Sequence, residues 1–242
     1  MATVTWAKDL ADVYDKTSAH MFEPDVLDPV VDMLFSLAAG GPALEFAIGT
    51  GRVALPLNSR GVSVHGIELS PHMVDQLRSK PGASSVEATV GDMTTTRVPG
   101  SFNLVYLVWN TIMNVTTQQE QVRVFANAAA HLETGGHFVV EVLVPPVRHL
   151  PPGESTRVFA FNDRYMGFDS FDDPVGQILS SHHWAEVEGR LVRHSAPYRY
   201  VWPSELDLMA QLAGFRLVDR WGGWSREPFT AESDNAVAVY QK

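Results

Sequence analysis

Cysteine is absent from the 242 residues, so disulfides, thiolate metal sites and a cysteine nucleophile are excluded. Basic residues are in deficit: 18 Lys and Arg stand against 28 Asp and Glu, giving a formal net charge of −10. The arginines are scattered among acids, whereas nucleic acid or an anionic membrane needs a basic face. Neither is expected as a partner, which leaves a small molecule. No run approaches the ~20 uninterrupted apolar residues of a membrane-spanning helix. The opening segment MATVTWAKDLADVYDK lacks the apolar core of a signal peptide, and the chain is read as cytoplasmic. There is also no internal repeat and no low-complexity segment.

What is present is an ordinary globular composition, 45% hydrophobic, with length for a large core. From residue 43 short apolar runs alternate with helical runs. ALEFAI (43–48) reads as a buried strand, followed by a helix over 52–59. VSVHGIEL (62–69) is a second strand; Ser70 caps the next helix and Pro71 takes its first position. Third and fourth strands fall at 84–92 and 102–109. TTQQEQVRVFANAAAHL is a helix with Thr116 or Thr117 as cap and Gln119 or Glu120 reaching back, and GGHFVVEVLVP is a fifth strand. Crossovers this short build a parallel sheet covered by helices on both faces.

After Pro145-Pro146 the pattern changes. Over about 155–202 the helical period vanishes, and three or four antiparallel strands are expected with a hairpin turn in EVEGRL (186–191). A helix resumes in PSELDLMAQLAGF, capped by Ser204 and stopped by Gly214, before strands RLVDRW and NAVAVY. We read one domain over 1–242, with a helical cap at 1–40 and an antiparallel, substrate-covering insertion at 155–202.

The loop ALEFAIGTGR carries the chemistry. Gly49 and Gly51 let backbone turn sharply and approach a ligand between strand and helix. Glu68 ends the second strand 17 residues after Gly51, where a carboxylate can accept both hydroxyls of a ribose. Gly91-Asp92 ends the third strand, where the acid can accept from the exocyclic amine of an adenine. All three features share the carboxyl edge of the sheet, where ligands of open sheets bind. GTGRVA fits G-x-G-x-x-A, which keeps an NAD(P)-dependent oxidoreductase open. Against it stands Glu45, a buried acid that needs partners: a cofactor ammonium, or loop N–H groups to fix.

The order E-x-x-x-G-x-G (45–51), GIELS (66–70), GDM (91–93), FNLVYL (102–107) and HLETGGHFVVEV (131–142) resembles the class I S-adenosylmethionine-dependent methyltransferases. The resemblance resumes at 204–242, and within the family it is most similar to small-molecule enzymes of the aminosugar N-methyltransferase kind, which share Tyr14-Asp15 and an insertion after the fifth strand. It implies a doubly wound, Rossmann-like sheet of seven strands in order 3-2-1-4-5-7-6 with the last antiparallel. The implied cofactor is S-adenosyl-L-methionine, with S-adenosyl-L-homocysteine as product. By the resemblance, Glu45, Gly49 and Gly51 shape the methionine end and Glu68 holds the ribose. Leu69 and Met73 line the adenine, while Asp92 and the Met93 backbone read its amine. Val108 and Trp109 lie under the sulfonium, and Tyr14 and Arg52 are candidates for the cofactor carboxylate. Ala47 departs from the family's glycine; its methyl is expected to fit because a strand end supplies a negative φ. Ile48 is expected to find room against the following helix or to narrow the pocket.

Methyl transfer is an in-line displacement that needs a base only if the acceptor arrives protonated. Base candidates are His182, His183 and His149. Adjacent strand residues face opposite ways, so only one of His182 and His183 can enter a cleft, which argues against a metal cluster with His194. Asn110 and Asn114 lie beyond the fourth strand, placed to touch an acceptor. Tyr165, Phe168 and Trp202 of the aromatic-rich insertion are candidates for its wall. The expected activity is methyl transfer to oxygen or nitrogen of a small molecule. A non-catalytic S-adenosylmethionine-binding protein is the other alternative, and the exposed insertion strands are open to a homodimer.

Overall fold

A computed structural model describes residues 7–187 and 189–242. The expected helical cap starts at residue 1, and residues 1–6 lie outside the described residues, as does Glu188 in the expected hairpin. The chain opens with two short helices, α1 (Lys8–Ala11) and α2 (Tyr14–Thr17), a 3₁₀ turn (Ala19–Phe22) and the longer α3 (Pro24–Ala38). The alternating section follows: β1 (Ala43–Phe46), α4 (Ala54–Ser59), β2 (Val64–Glu68), α5 (Pro71–Arg78), β3 (Glu87–Val90), β4 (Phe102–Leu107), α6 (Gln118–His131) and β5 (Leu132–Leu143). Four strands come next, β6 (Thr156–Asn162), β7 (Tyr165–Asp173), β8 (Ile178–Val187) and β9 (Arg190–Arg199), then α7 (Pro203–Leu212), β10 (Arg216–Trp221) and β11 (Asn235–Gln241).

Seven strands form one sheet in the order β3-β2-β1-β4-β5-β11-β10, and β11 runs antiparallel to both neighbours. This is the expected doubly wound sheet with its last strand reversed. Strands β6 to β9 form a second, wholly antiparallel sheet in sequence order.

Alternation along the central strands sends side chains to two cores. Leu44, Phe46, Val105, Leu107, Phe138 and Val140 face α6 and α7. Ala43, Leu104, Tyr106 and Val139 face α3 and α4. Phe138 meets Phe125 of α6 edge to face at 5.1 Å. Full burial of such a ring contributes roughly 1.5–3 kcal/mol.

Helix starts follow local chemistry. Ser70 Oγ accepts from Met73 N at 3.4 Å, with Pro71 in the first turn. Thr117 Oγ1 accepts from Glu120 N at 3.2 Å, and the Glu120 carboxylate reaches back to the Thr117 hydroxyl at 2.7 Å. The expected Ser204 cap is corrected. Pro203 is the first residue of α7 and Trp202 precedes it as the cap position, with no side-chain bond. Proline has fixed φ and no N–H, so it takes the first helical position and leaves Ser204 inside. Gly214 does end the helix, in the left-handed region at φ 84°.

A buried polar joint ties the second sheet to the helices of the first. Arg199, at the end of β9, donates to Gln121 of α6 at 2.5 Å, to Glu205 of α7 at 2.7 Å and to Gln177 at 2.9 Å. Gln121 Nε2 donates in turn to the carbonyls of Ile112, Val115 and Arg199. A charge this deep is tolerated because both terminal nitrogens of the guanidinium are bonded and one of them is paired with the Glu205 carboxylate. Among the described residues no helix is long and apolar enough to cross a membrane.

Candidate active site

The glycine turn begins two residues earlier than the apolar run suggests. β1 ends at Phe46, so Ala47 is the first residue of the turn, and its φ is +55°. The expected negative φ at Ala47 is therefore wrong: no strand remains there to supply it. A left-handed non-glycine residue carries about 1–2 kcal/mol of strain. Gly49 (φ +55°) and Gly51 (φ +80°) continue the turn. Ile48 does not narrow the cavity. It is 3% exposed and packs over Gly66 of β2, where a Cβ would lie 2.6 Å from the Ile48 Cβ.

Three carboxylates organise this edge. Glu45 lies beneath the turn, 3% exposed, and accepts from the Tyr106 hydroxyl at 3.0 Å and from the Ala54 N–H. Burial pushes its pKa up to about 8. Its partners are thus the protein's own groups. Glu68 accepts from Gly49 N at 2.9 Å and from Ser70 N at 2.8 Å, so it clamps the turn to the start of α5. Burial raises its pKa despite those bonds. Asp92 accepts from Thr94 N at 2.7 Å.

The N-terminal segment is fastened to the same turn. Asp15 accepts from the Thr50 hydroxyl at 2.6 Å and pairs with Lys80, whose ammonium donates to Thr50 O at 2.8 Å. This brings Tyr14 over the edge of the sheet, near Arg52 and Glu68. At the end of β4, Trp109 and Asn110 are both left-handed, with φ of 56° and 57°. Two such residues in succession are strained, and side-chain bonds hold them there. Trp109 N donates to Glu141 at 2.6 Å, and Asn110 Oδ1 accepts from Leu143 N.

These parts surround a cavity of about 1050 Å³ between the carboxyl edge of the large sheet and the second sheet. Of the residues expected at a cofactor site, Tyr14, Ala47, Gly49, Glu68, Leu69, Met73, Asp92, Met93 and Trp109 line it. Glu45 and Gly51 are not on its wall; Gly51 packs against Leu55 and Leu77. Arg52 and Val108 border a separate 40 Å³ cavity behind Trp109, where the Arg52 guanidinium stands 5.6 Å from the Trp109 ring centroid.

Of the residues expected to meet an acceptor, Asn110, Asn114, Tyr165 and His183 line the cavity. The other candidates do not. His182 points to the opposite face of β8, stacked on Phe168 at 4.5 Å, so both leave the wall together. His149 is exposed on a 3₁₀ turn, and Trp202 packs against the core before α7. Arg157, Asp169, Ser181, His194 and Tyr198 also line the cavity; the sequence offers no local signal for Arg157, Asp169 and Ser181, raises His194 only as a metal ligand, and marks Tyr198 only as one of the insertion's many aromatics. Strand parity is the signal that could have found most of them: Tyr165 and Asp169, Ser181 and His183, His194 and Tyr198 alternate along β7, β8 and β9.

The donor set fits a ribosyl-adenine cofactor without a pyrophosphate. Leu69, Met73 and Met93 offer apolar walls, and Glu68 and Asp92 offer acceptors at adjacent strand ends. A Cβ on Gly49 would meet nothing nearer than Met73 Cε at 3.5 Å, so the backbone there is open to a ligand. Among the described residues, the one arginine or lysine on the cavity wall is Arg157, on the second sheet. At the turn itself Lys80 is held by Asp15 and Thr50 O and Arg52 borders the smaller cavity, so neither cation is on the wall where a dinucleotide's phosphates would lie.

Residues 43–136 match the methyltransferase domain family. The chain belongs to the class I S-adenosylmethionine-dependent methyltransferases, and S-adenosylmethionine is its cofactor. It is 34% identical to the CcbJ methyltransferase from Streptomyces caelestis, over 100% of this chain and 99% of that one, with a TM-score of 0.84. Cypemycin N-terminal methyltransferase of Streptomyces sp is 24% identical over 95% of this chain and 98% of its own length. S-adenosylmethionine-bound CalS10, an amino pentose methyltransferase from Micromonospora echinaspora, has the same fold at TM-score 0.73 and 19% identity, covering 95% of this chain and 97% of its own. The oxidoreductase and non-catalytic alternatives give way: the protein is a methyltransferase.

Proposed function

We propose that the enzyme methylates an amine nitrogen of a small-molecule acceptor. The observation that carries this reading is Asp169, a carboxylate only 7% exposed on the cavity wall. Ser181 and Arg157 are its neighbours across the sheet, and a buried acid that also faces a cavity is a natural further partner for an ammonium, because buried charge is costly unless well paired. Burial raises Asp169 and lowers the nearby His183, so His183 is neutral at pH 7 and able to take a proton. A general base of this strength suits an ammonium far better than an aliphatic hydroxyl. The relatives' names agree: one is an N-terminal methyltransferase and another acts on an amino pentose.

Bound S-adenosylmethionine supplies the methyl group from its sulfonium, and the electrons of the broken C–S bond stay with sulfur. In this reading Glu68 accepts from the ribose hydroxyls and Asp92 from the adenine amine. Leu69, Met73 and Met93 hold the base, while Gly49, Tyr14 and Trp109 frame the methionine end. Asn110 and Asn114 orient the acceptor beside Asp169 so that the amine lone pair approaches in line. Orientation of this kind can supply up to about 7–11 kcal/mol of the barrier.

The test is a panel of primary and secondary amines, phenols and alcohols incubated with the protein and S-adenosylmethionine, with products read by mass spectrometry. Methylated amines are expected. Methylation confined to phenols or alcohols would overturn the nitrogen assignment.

A further inference from the structure

Four side chains on the cavity face of the second sheet form one continuous hydrogen-bonded chain. Tyr165 Oη lies 2.6 Å from His183 Nδ1. His183 Nε2 lies 3.2 Å from Ser181 Oγ. Ser181 bonds the Asp169 carboxylate, its direct cross-strand neighbour. Both ring nitrogens of His183 are thereby engaged in series. Gly167, opposite His183 in the pairing of β7 and β8, makes the first link fit. A Cβ on Gly167 would lie 2.9 Å from the Tyr165 hydroxyl and 2.5 Å from Phe159 Cζ, so the glycine leaves the space through which Tyr165 reaches His183.

The two ends differ. Asp169 is buried, and Tyr198 is within electrostatic reach of both it and Tyr14, which is near Glu68. That end faces the cofactor edge. Tyr165 is partly exposed and sits beside the solvent-exposed Asn162 and Arg164.

We infer that Asp169, Ser181, His183 and Tyr165 are a proton path that carries the acceptor's proton from the methyl-transfer site to solvent. The inference rests on the amine reading above. The acceptor ammonium gives its proton to the Asp169 carboxylate and keeps the electron pair of the N–H bond. Asp169 passes a proton to Ser181 Oγ, and Ser181 passes its own to His183 Nε2. His183 releases its Nδ1 proton to Tyr165, and Tyr165 releases its hydroxyl proton to water. One proton enters, one leaves, and no residue retains charge. Rotation of the two hydroxyls and the return of the imidazole tautomer reset the chain.

Other charged and titratable groups act on this path, His182 from the opposite face of β8. His194 of β9 stands 6.3 Å from the His183 ring, and His182 and Arg157 act on Asp169. Tyr198 completes the set. Neighbouring charges shift a titration whether or not the path exists, so the decisive variants are neutral ones within the chain.

The experiment follows the His183 ring nitrogens by NMR in uniformly ¹⁵N-labelled protein across a pH titration. Ser181→Ala removes the central link without changing charge and is expected to move the His183 midpoint by about half a unit or more. Ser181→Thr, which keeps the hydroxyl, is expected to restore it, and Gly167→Ala is expected to break the Tyr165 link. S-adenosylhomocysteine affinity should be unchanged in Ser181→Ala. With a methylated amine in hand, Ser181→Ala should lower kcat by about 10²-fold, leave KM unchanged and abolish the solvent isotope effect on kcat. An unchanged His183 titration in Ser181→Ala overturns the path even if amines are methylated. A shifted titration with only phenols methylated keeps the path and sinks the amine reading.

Discussion

Ile48 occupies the space that a side chain at residue 66 would fill: a Cβ on Gly66 would lie 2.6 Å from the Ile48 Cβ. The bulky residue of the turn and the glycine of the neighbouring strand are one packing unit. Gly66→Ala is expected to destabilise the fold by ~1–3 kcal/mol through overpacking. Adding Ile48→Ala should recover part of that loss, so the double mutant falls short of the sum. Denaturant midpoints of the four proteins in the cycle measure this, and additivity would mean the two residues do not share the space.

Ala47 makes the opposite prediction. Glycine adopts φ of +55° without the left-handed penalty, although its freer unfolded chain offsets some of the gain. Ala47→Gly is expected to raise stability by up to ~1 kcal/mol, or about 2–4 °C in Tm, with S-adenosylhomocysteine affinity kept. Ala47→Leu adds bulk to a residue on the cavity wall and is expected to lose that affinity. Thermal melts and calorimetric titration check both; a lower Tm for Ala47→Gly would contradict the strain.

These two residues mark the boundary of what sequence conveys. The apolar strands, the Ser70-Pro71 helix start and the acids at two strand ends are local signals, and the sheet follows from them. The sign of φ at Ala47 depends on the strand ending at Phe46 and not at Ile48, a difference of two residues that apolar periodicity cannot resolve. His182 and His183 show the same limit. That they face apart follows from strand geometry, but which one enters the cavity depends on how β8 pairs with β7 and β9. Asp169 stayed invisible because its partner Ser181 is distant in sequence and adjacent only across the sheet.

Glu68 and Asp92 should separate under mutation. Asp92 bonds one local N–H, so Asp92→Ala is expected to weaken S-adenosylhomocysteine binding by about 10- to 100-fold, the loss of a bond to a charged group, with little change in Tm. Glu68→Ala strands the Gly49 and Ser70 N–H groups and is expected to lower affinity and Tm together. Calorimetry with melting curves distinguishes them, and full affinity in Asp92→Ala would remove the adenine assignment.

Glu45 gives a pH signature. Its folded pKa of about 8 lies above the ordinary value of 4.5, so between those limits the folded state holds a proton that the unfolded state has released. Its contribution to stability therefore falls as pH rises through that window and levels off above about 8. Glu45→Gln should flatten the profile and be relatively more stable at the alkaline end. Chemical denaturation from pH 5 to 9 in both proteins tests it. Glu68 and Glu141 shift in the same direction, so the difference between the two curves isolates Glu45. Parallel curves would show that the carboxyl titrates normally.

The joint around Arg199 has a consequence for engineering. Four side chains, Arg199, Gln177, Gln121 and Glu205, are where the second sheet is bolted to helices α6 and α7. Two of them travel with the antiparallel strands and two stay with the helices of the seven-stranded sheet. The sheet that walls the cavity can therefore be exchanged as a cassette, provided the incoming strands bring an arginine and a glutamine to those two positions. Substrate range could then be rewritten without disturbing the turn that Ala47 begins.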